Sequence, residues 1–159
     1  MELNNKVLWV CSEGGHLTEM LQLKPLILKS NHLILTENSL SARNQLLGMN
    51  AKFVFKGSRA EGFKYVLKFF INITRIFLIV WKFKPDLVIS TGSAIAVPSF
   101  IFGKMFRART IFIETFCRVK TKPLTTKLIG GICDLLLVQW PDKVRLYNKQ
   151  NCKYIGSMM

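Results

Sequence analysis

The chain is short of acid. Nine Asp and Glu stand against 23 Lys and Arg in 159 residues, a formal charge of +14. That excess selects an anionic partner: nucleic acid, an anionic membrane surface or a phosphorylated substrate. So few carboxylates leave no acidic cluster for Mg²⁺, and no metal is expected. Histidine is scarcer still, with His16 and His32 far apart. The four cysteines, Cys11, Cys117, Cys133 and Cys152, form no Cys-x-x-Cys pair, and three lie in apolar surroundings. This argues against a zinc site and for buried, reduced thiols. No uncharged apolar run reaches the roughly 18 residues that a spanning helix needs. The nearest, residues 69–83, is interrupted by Asn72, Arg75 and Lys82. The amino terminus opens polar and passes into a strand, unlike a signal peptide. Repeats, linkers and low-complexity stretches are missing too.

What is present is apolar: hydrophobic residues make up 50% of the chain, which excludes disorder. The length fits one domain with a real core, spanning residues 1–159. Strands are expected over 7–11, 32–36, 52–55, 87–90, 110–114, 135–138 and 153–155. Helices are expected over 17–28, 42–47, 61–83, 94–106, 125–132 and 143–148. Several strands are continuous aliphatic runs, as in a parallel sheet buried on both faces. The alternation predicts an α/β fold: a Rossmann-like open parallel sheet with right-handed crossovers. Ligands of such sheets bind outside the carboxyl ends of the strands.

Three turns at that edge carry polar chemistry. Gly14-Gly15-His16 joins the first strand to a helix. Free backbone N–H groups and the positive end of a helix suit a phosphate there. The histidine can donate to an anionic oxygen or act as a general base. The spacing is not Gly-x-Gly-x-x-Gly, so the dinucleotide fingerprint is absent. A tight turn with a solvated histidine is the plainer alternative. Ser90-Thr91-Gly92-Ser93 is a second such turn, suited to a phosphate, to sugar hydroxyls or simply to capping a helix. Glu114 closes the fifth strand, placed either for general base work and sugar hydroxyls or for an ion pair with Arg118. Arg118, Lys120, Lys122 and Lys127 form a basic cluster that reads as a pyrophosphate or membrane contact, or as a solvated face. His32 and Asp86 read as a structural residue and a turn residue.

The helix expected over 61–83 is too apolar for an ordinary surface helix. At about 100° per residue, Lys64, Lys68, Asn72, Arg75 and Lys82 share an arc of roughly 80°. Apolar residues, Phe69, Phe77 and Trp81 among them, fill most of the rest. A surface helix needs an apolar stripe of only about 100°. One sector can face the sheet; the leftover sector, flanked by Lys and Arg, suits an anionic membrane surface. Burial by a subunit or by the rest of the fold are the alternatives.

The glycine-glycine-histidine turn, Pro85-Asp-Leu-Val-Ile-Ser-Thr-Gly-Ser and Ile113-Glu-Thr-Phe-Cys-Arg-Val resemble the acceptor-binding subunits of two-component glycosyltransferases. These include the membrane-anchored subunit of the eukaryotic dolichol-linked UDP-GlcNAc transferase and bacterial accessory subunits of capsular and exopolysaccharide synthesis. The resemblance covers nearly the whole chain. It implies the amino-terminal half of a GT-B glycosyltransferase, related to the lipid I GlcNAc-transferase of peptidoglycan synthesis. In that enzyme the turn ending in Gly-Gly-His lies at the acceptor diphosphate, and Gly14, Gly15 and His16 match its end. The family's Glu-Ser-Phe-Ala-Arg stretch corresponds to Glu114, Thr115, Phe116, Cys117 and Arg118. The eukaryotic subunit carries an amino-terminal spanning segment that this chain lacks, which favours a bacterial member, peripheral on the cytoplasmic face of the membrane.

The resulting expectation is a subunit that binds a polyprenyl-diphosphate-linked saccharide. A partner subunit binds the UDP-sugar donor, so no cofactor is expected on this chain. His16 and Glu114 are the catalytic candidates. Gly14, Gly15, His16, Thr91, Gly92, Ser93 and Arg118 are the diphosphate-binding candidates. Lys64, Lys68, Phe69, Arg75, Phe77 and Trp81 are the membrane-contact candidates. The alternative is a non-catalytic membrane scaffold that recruits the catalytic subunit. Nucleic acid is set aside because the aromatics lie in apolar runs rather than along a basic groove.

Overall fold

The computed structural model describes residues 3–57, 62–117, 119, 121–147 and 151–158. Seven strands form one parallel sheet: β1 (Leu3–Cys11), β2 (Ser30–Glu37), β3 (Ala51–Val54), β4 (Leu87–Gly92), β5 (Arg109–Ile113), β6 (Leu135–Val138) and β7 (Cys152–Tyr154). Their order is β3-β2-β1-β4-β5-β6-β7. All seven correspond to expected strands. The aliphatic runs lie in the sheet because both faces are covered. On β1, Leu8 and Val10 pack into one core cluster, and Val7, Trp9 and Cys11 into the other.

Among the described residues, seven helices cover the two faces. α1 (Gly15–Leu21), α2 (Lys24–Leu28) and α3 (Leu40–Gln45) lie on one face, contributing Leu17, Ile27 and Ala42. On the other are α4 (Phe63–Phe83), α5 (Ala96–Met105), α6 (Leu124–Ile129) and α7 (Pro141–Tyr147), with Ile76, Phe100, Ile129 and Tyr147. The single helix expected over 17–28 is two helices. Pro25 has no N–H for the carbonyl of Leu21, and the joint tightens, with Gln22 and Leu23 donating to Glu19 and Met20 at 3.3 and 3.0 Å.

α4 corrects the expectation for Asn72. Its side chain is buried against β3 rather than on the basic arc, accepting from Phe55 N–H at 2.9 Å and donating to Phe55 C=O at 2.8 Å. The amide continues the sheet's edge pairing where β3 stops. α4 ends on Lys84 in the left-handed region (φ 49°), followed by Pro85, which cannot extend it. Residues 61 and 148, the expected ends of two helices, lie outside the described residues. No helix among the described residues is long and apolar enough to cross a membrane.

This strand order fixes the position of a site. Chain progression reverses between β1 and β4, so their crossovers leave in opposite directions and open a crevice at the carboxyl ends. The Gly14–His16 turn and the Thr91–Ser93 turn face each other across it.

Candidate functional site

Gly14 holds φ 76° and ψ −137°, a conformation suited to glycine, and its carbonyl accepts from Thr18 N–H at 3.0 Å. α1 is only seven residues long, so its dipole is weaker than a long helix would give. Across the crevice Thr91 is buried and donates from Oγ1 to the His16 carbonyl at 2.9 Å. Gly92 has φ 124°, and a methyl group on it would come 2.8 Å from His16 Cε1. The imidazole therefore rests directly on Gly92. Ser93 (φ 138°) turns the chain into α5, its Oγ accepting from Ile95 N–H at 3.3 Å.

His16, Thr91, Gly92 and Ser93 line one cavity of about 210 Å³, closed by Phe112, Thr115 and the Pro123–Thr125 segment. Two turns separated by 75 residues thus form one site. A groove of about 940 Å³ lies at the opposite edge, between Lys84, Asp86, Arg107, Arg109 and Asp134. Its acids serve the fold. Asp86 accepts from Lys6 N–H at 2.8 Å, and Asp134 accepts from Thr110 N–H at 2.7 Å and pairs with Lys104.

Glu114 is not in the cavity. Its side chain is buried and pairs with the equally buried Lys143, whose ammonium also donates to the Thr121 carbonyl at 2.7 Å. Among the described residues the Glu114 ion pair is with Lys143; Arg118, the partner considered for it, lies outside the described residues, as does Lys120. Burial and then the neighbouring Glu114 carboxylate push the Tyr147 hydroxyl well above its ordinary range. Lys143 thus ties the Glu114 side chain to the Thr121 backbone.

Three buried residues here have no place in the sequence reading: Glu19, Lys143 and Gln139. Glu19 sits one turn after His16, with Oε2 3.9 Å from His16 Nδ1. Its Oε1 accepts from Phe116 N–H at 2.9 Å and from the Gln139 amide. Gln139 also donates to the Glu114 carbonyl at 3.0 Å and accepts from Met158 N–H at 2.9 Å. The spacing His-x-x-Glu, which puts both side chains on one helix face, was the available signal for Glu19. Burial raises the Cys11 thiol to about 12, and Cys133 and Cys152 are raised for the same reason.

α4 presents the surplus apolar sector. Asn72, Ile76 and Val80 face the sheet, while Phe63 (81% exposed), Leu67 (54%), Phe70 (62%) and Trp81 (49%) face out. Ile101 and Met105 of α5 are exposed as well. Lys64 and Phe69 are exposed, and Lys68 is half-buried. Arg75 stacks over the Phe55 ring at 4.1 Å. Phe77 belongs to the seam between helices, with its ring centroid 5.3 Å from Phe102 and 6.1 Å from Phe106.

The fold is that of the amino-terminal half of solved GT-B enzymes. It resembles MurG of Acinetobacter baumannii with a TM-score of 0.78 at 13% identity, over 98% of this chain and 46% of that one. The chain thus spans less than half of that structure and matches its amino-terminal, Rossmann-like half. In sequence it is 23% identical to the UDP-N-acetylglucosamine transferase subunit ALG14 of Rattus norvegicus over 180 residues, covering 96% of this chain and 82% of the relative. It is 26% identical to the corresponding Schizosaccharomyces pombe subunit over 167 residues, covering 90% and 78%. These names carry no capsular or exopolysaccharide setting. Residues 7–158 match the family described as "Oligosaccharide biosynthesis protein Alg14 like", and the chain belongs to that family.

Proposed function

We propose that this chain is the acceptor-side subunit of a two-component N-acetylglucosaminyltransferase. It holds a polyprenyl-diphosphate-linked acceptor at a membrane surface and docks a separate subunit that binds the UDP-sugar donor. The observation that carries this reading is one of size. These residues align over 98% of themselves with less than half of a two-domain GT-B enzyme, while the transferase subunits they match in sequence are covered over 82% and 78% of their own length; in this reading a separate subunit supplies the donor half. The cavity at the β1/β4 switch suits the acceptor's charged end: Thr91, Gly92 and Ser93 on one wall and His16 on the other. The exposed apolar sector of α4, with Lys64 and Arg75 along its border, suits the headgroup region where a polyprenyl carrier lies.

A second reading, a non-catalytic scaffold, gains from one feature. Glu114, the carboxylate expected to act as base, is locked into a buried pair with Lys143. His16 is then the remaining candidate for proton transfer on this chain.

The test is a transfer assay with UDP-GlcNAc and membranes carrying the lipid-linked acceptor, using this chain, its donor-binding partner, or both. The expected result is activity only with both, reduced at least about 100-fold by His16→Ala, the scale of a lost acid–base or anion-stabilising group. Unchanged activity in His16→Ala would favour the scaffold. Transfer by this chain alone would overturn the half-enzyme reading.

A further inference from the structure

The His16 imidazole has one face packed and one nitrogen enclosed. Its ring lies on Gly92, where any Cβ would collide with it. Its backbone carbonyl is held by Thr91 Oγ1. Its Nδ1 is shut off from solvent and makes no hydrogen bond among the described residues, although the ring as a whole is one-third exposed. The carboxylate Oε2 of Glu19 faces that nitrogen at 3.9 Å, too long for a hydrogen bond but within reach of a small side-chain rotation. Catalytic hydrogen bonds are commonly loose in unliganded sites and close when substrate binds.

Glu19 is held ready for that contact. It is 1% exposed, and its other oxygen is fixed by the Phe116 N–H and the Gln139 amide. Both hydrogen bonds seen at Glu19 end on Oε1, and its Oε2 lies beside the ring nitrogen that is shut off from solvent. With Glu19 as a carboxylate, a proton on the facing nitrogen makes the contact a hydrogen bond, whereas a lone pair there would meet a negative oxygen.

We infer that Glu19 is a positioning residue for His16: it keeps the proton on Nδ1 and presents Nε2 to the cavity as the working nitrogen. Nε2 can then take a proton from a sugar hydroxyl, or carry one and donate it to a diphosphate oxygen, while Nδ1–H stays on Glu19. The inference deepens the acceptor-site reading and rests on it for its functional consequence. The orientation of the ring is a property of this chain alone.

The chain holds only two histidines, so ¹⁵N imidazole spectra resolve the matter directly. The experiment uses the ¹⁵N-labelled full chain, with His16 signals assigned by difference against His16→Ala. The wild-type spectrum should show neutral His16 protonated on Nδ1. In Glu19→Gln the side-chain oxygen can still accept from Phe116, while its NH₂ turns a donor toward Nδ1, and the proton should move to Nε2. A wild-type His16 already protonated on Nε2 overturns the inference, and this measurement stands even if the variant fails to fold. A spectrum unchanged in Glu19→Gln overturns it as well. In the assembled transferase, Glu19→Gln should lower kcat by at least about tenfold, with KM for the lipid acceptor changed less. Full transfer by His16→Ala beside the expected spectra would sink the acceptor-site reading while supporting the role of Glu19 in setting the ring. Loss of transfer in His16→Ala with the proton on Nε2 would sink this inference alone.

Discussion

At the scale of single residues, Gly92 and His16 depend on each other. Gly92→Ala would place a methyl group 2.8 Å from the imidazole and force alanine into φ 124°. The expected cost is about 1–3 kcal/mol in denaturant unfolding, together with displacement of His16 seen as shifted imidazole resonances. Unchanged stability and unchanged resonances would refute the packing. The two polar turns were legible in the sequence because each is local: glycine and hydroxyl residues mark a chain reversal wherever they fall. The burial of Glu114 was not legible. Nothing near residue 114 announces a lysine 29 positions later whose ammonium is buried against it. Gln139 was hidden for the same reason, since its partners Glu19 and Met158 lie far along the chain in opposite directions. Glu19 could have been found from its spacing to His16, but its meaning depends on Phe116, 97 residues away.

At the scale of elements, the parallel strands were readable because burial on both faces writes continuous aliphatic runs into the sequence. Helix ends were less readable. The 17–28 helix broke on the proline, a signal present but not used. α4 is the informative case: its surplus of apolar residues was visible, but which of them the sheet would take was not. A rotation that buried Asn72, Ile76 and Val80 turned Phe63, Leu67, Phe70 and Trp81 outward. If that sector meets a bilayer, Phe70→Ser with Trp81→Ser should weaken sedimentation with phosphatidylglycerol vesicles several-fold and leave the melting temperature near its original value, because both residues are about half exposed or more. Undiminished vesicle binding would remove α4 from the membrane-facing surface.

At the scale of the whole molecule, a net charge of +14 acts over longer distances than any single contact. Adsorption to anionic vesicles should therefore fall steeply as salt rises from about 0.1 M to about 1 M, where the screening length shrinks from roughly 10 to roughly 3 Å. Residual binding at high salt would measure the apolar share contributed by α4 and α5. Equal binding across that range would deny charge any part in attachment. The half-enzyme character belongs to this scale too. What was legible of it is the fold: the motifs and the strand–helix alternation pointed to the amino-terminal half of a GT-B enzyme, and the sheet matches that half over 98% of this chain.

The Gln139 side chain has a further consequence for the order of events during synthesis. It clamps Glu19 across 120 residues of sequence and is itself clamped by the backbone of Met158. The pairing of β1 with β2, and of β2 with β3, needs only residues up to 54, but the carboxylate beside His16 waits for its second donor until residue 139 has emerged. Contacts of such long sequence separation close late in folding. The nascent chain therefore carries a formed sheet edge before it carries a finished site.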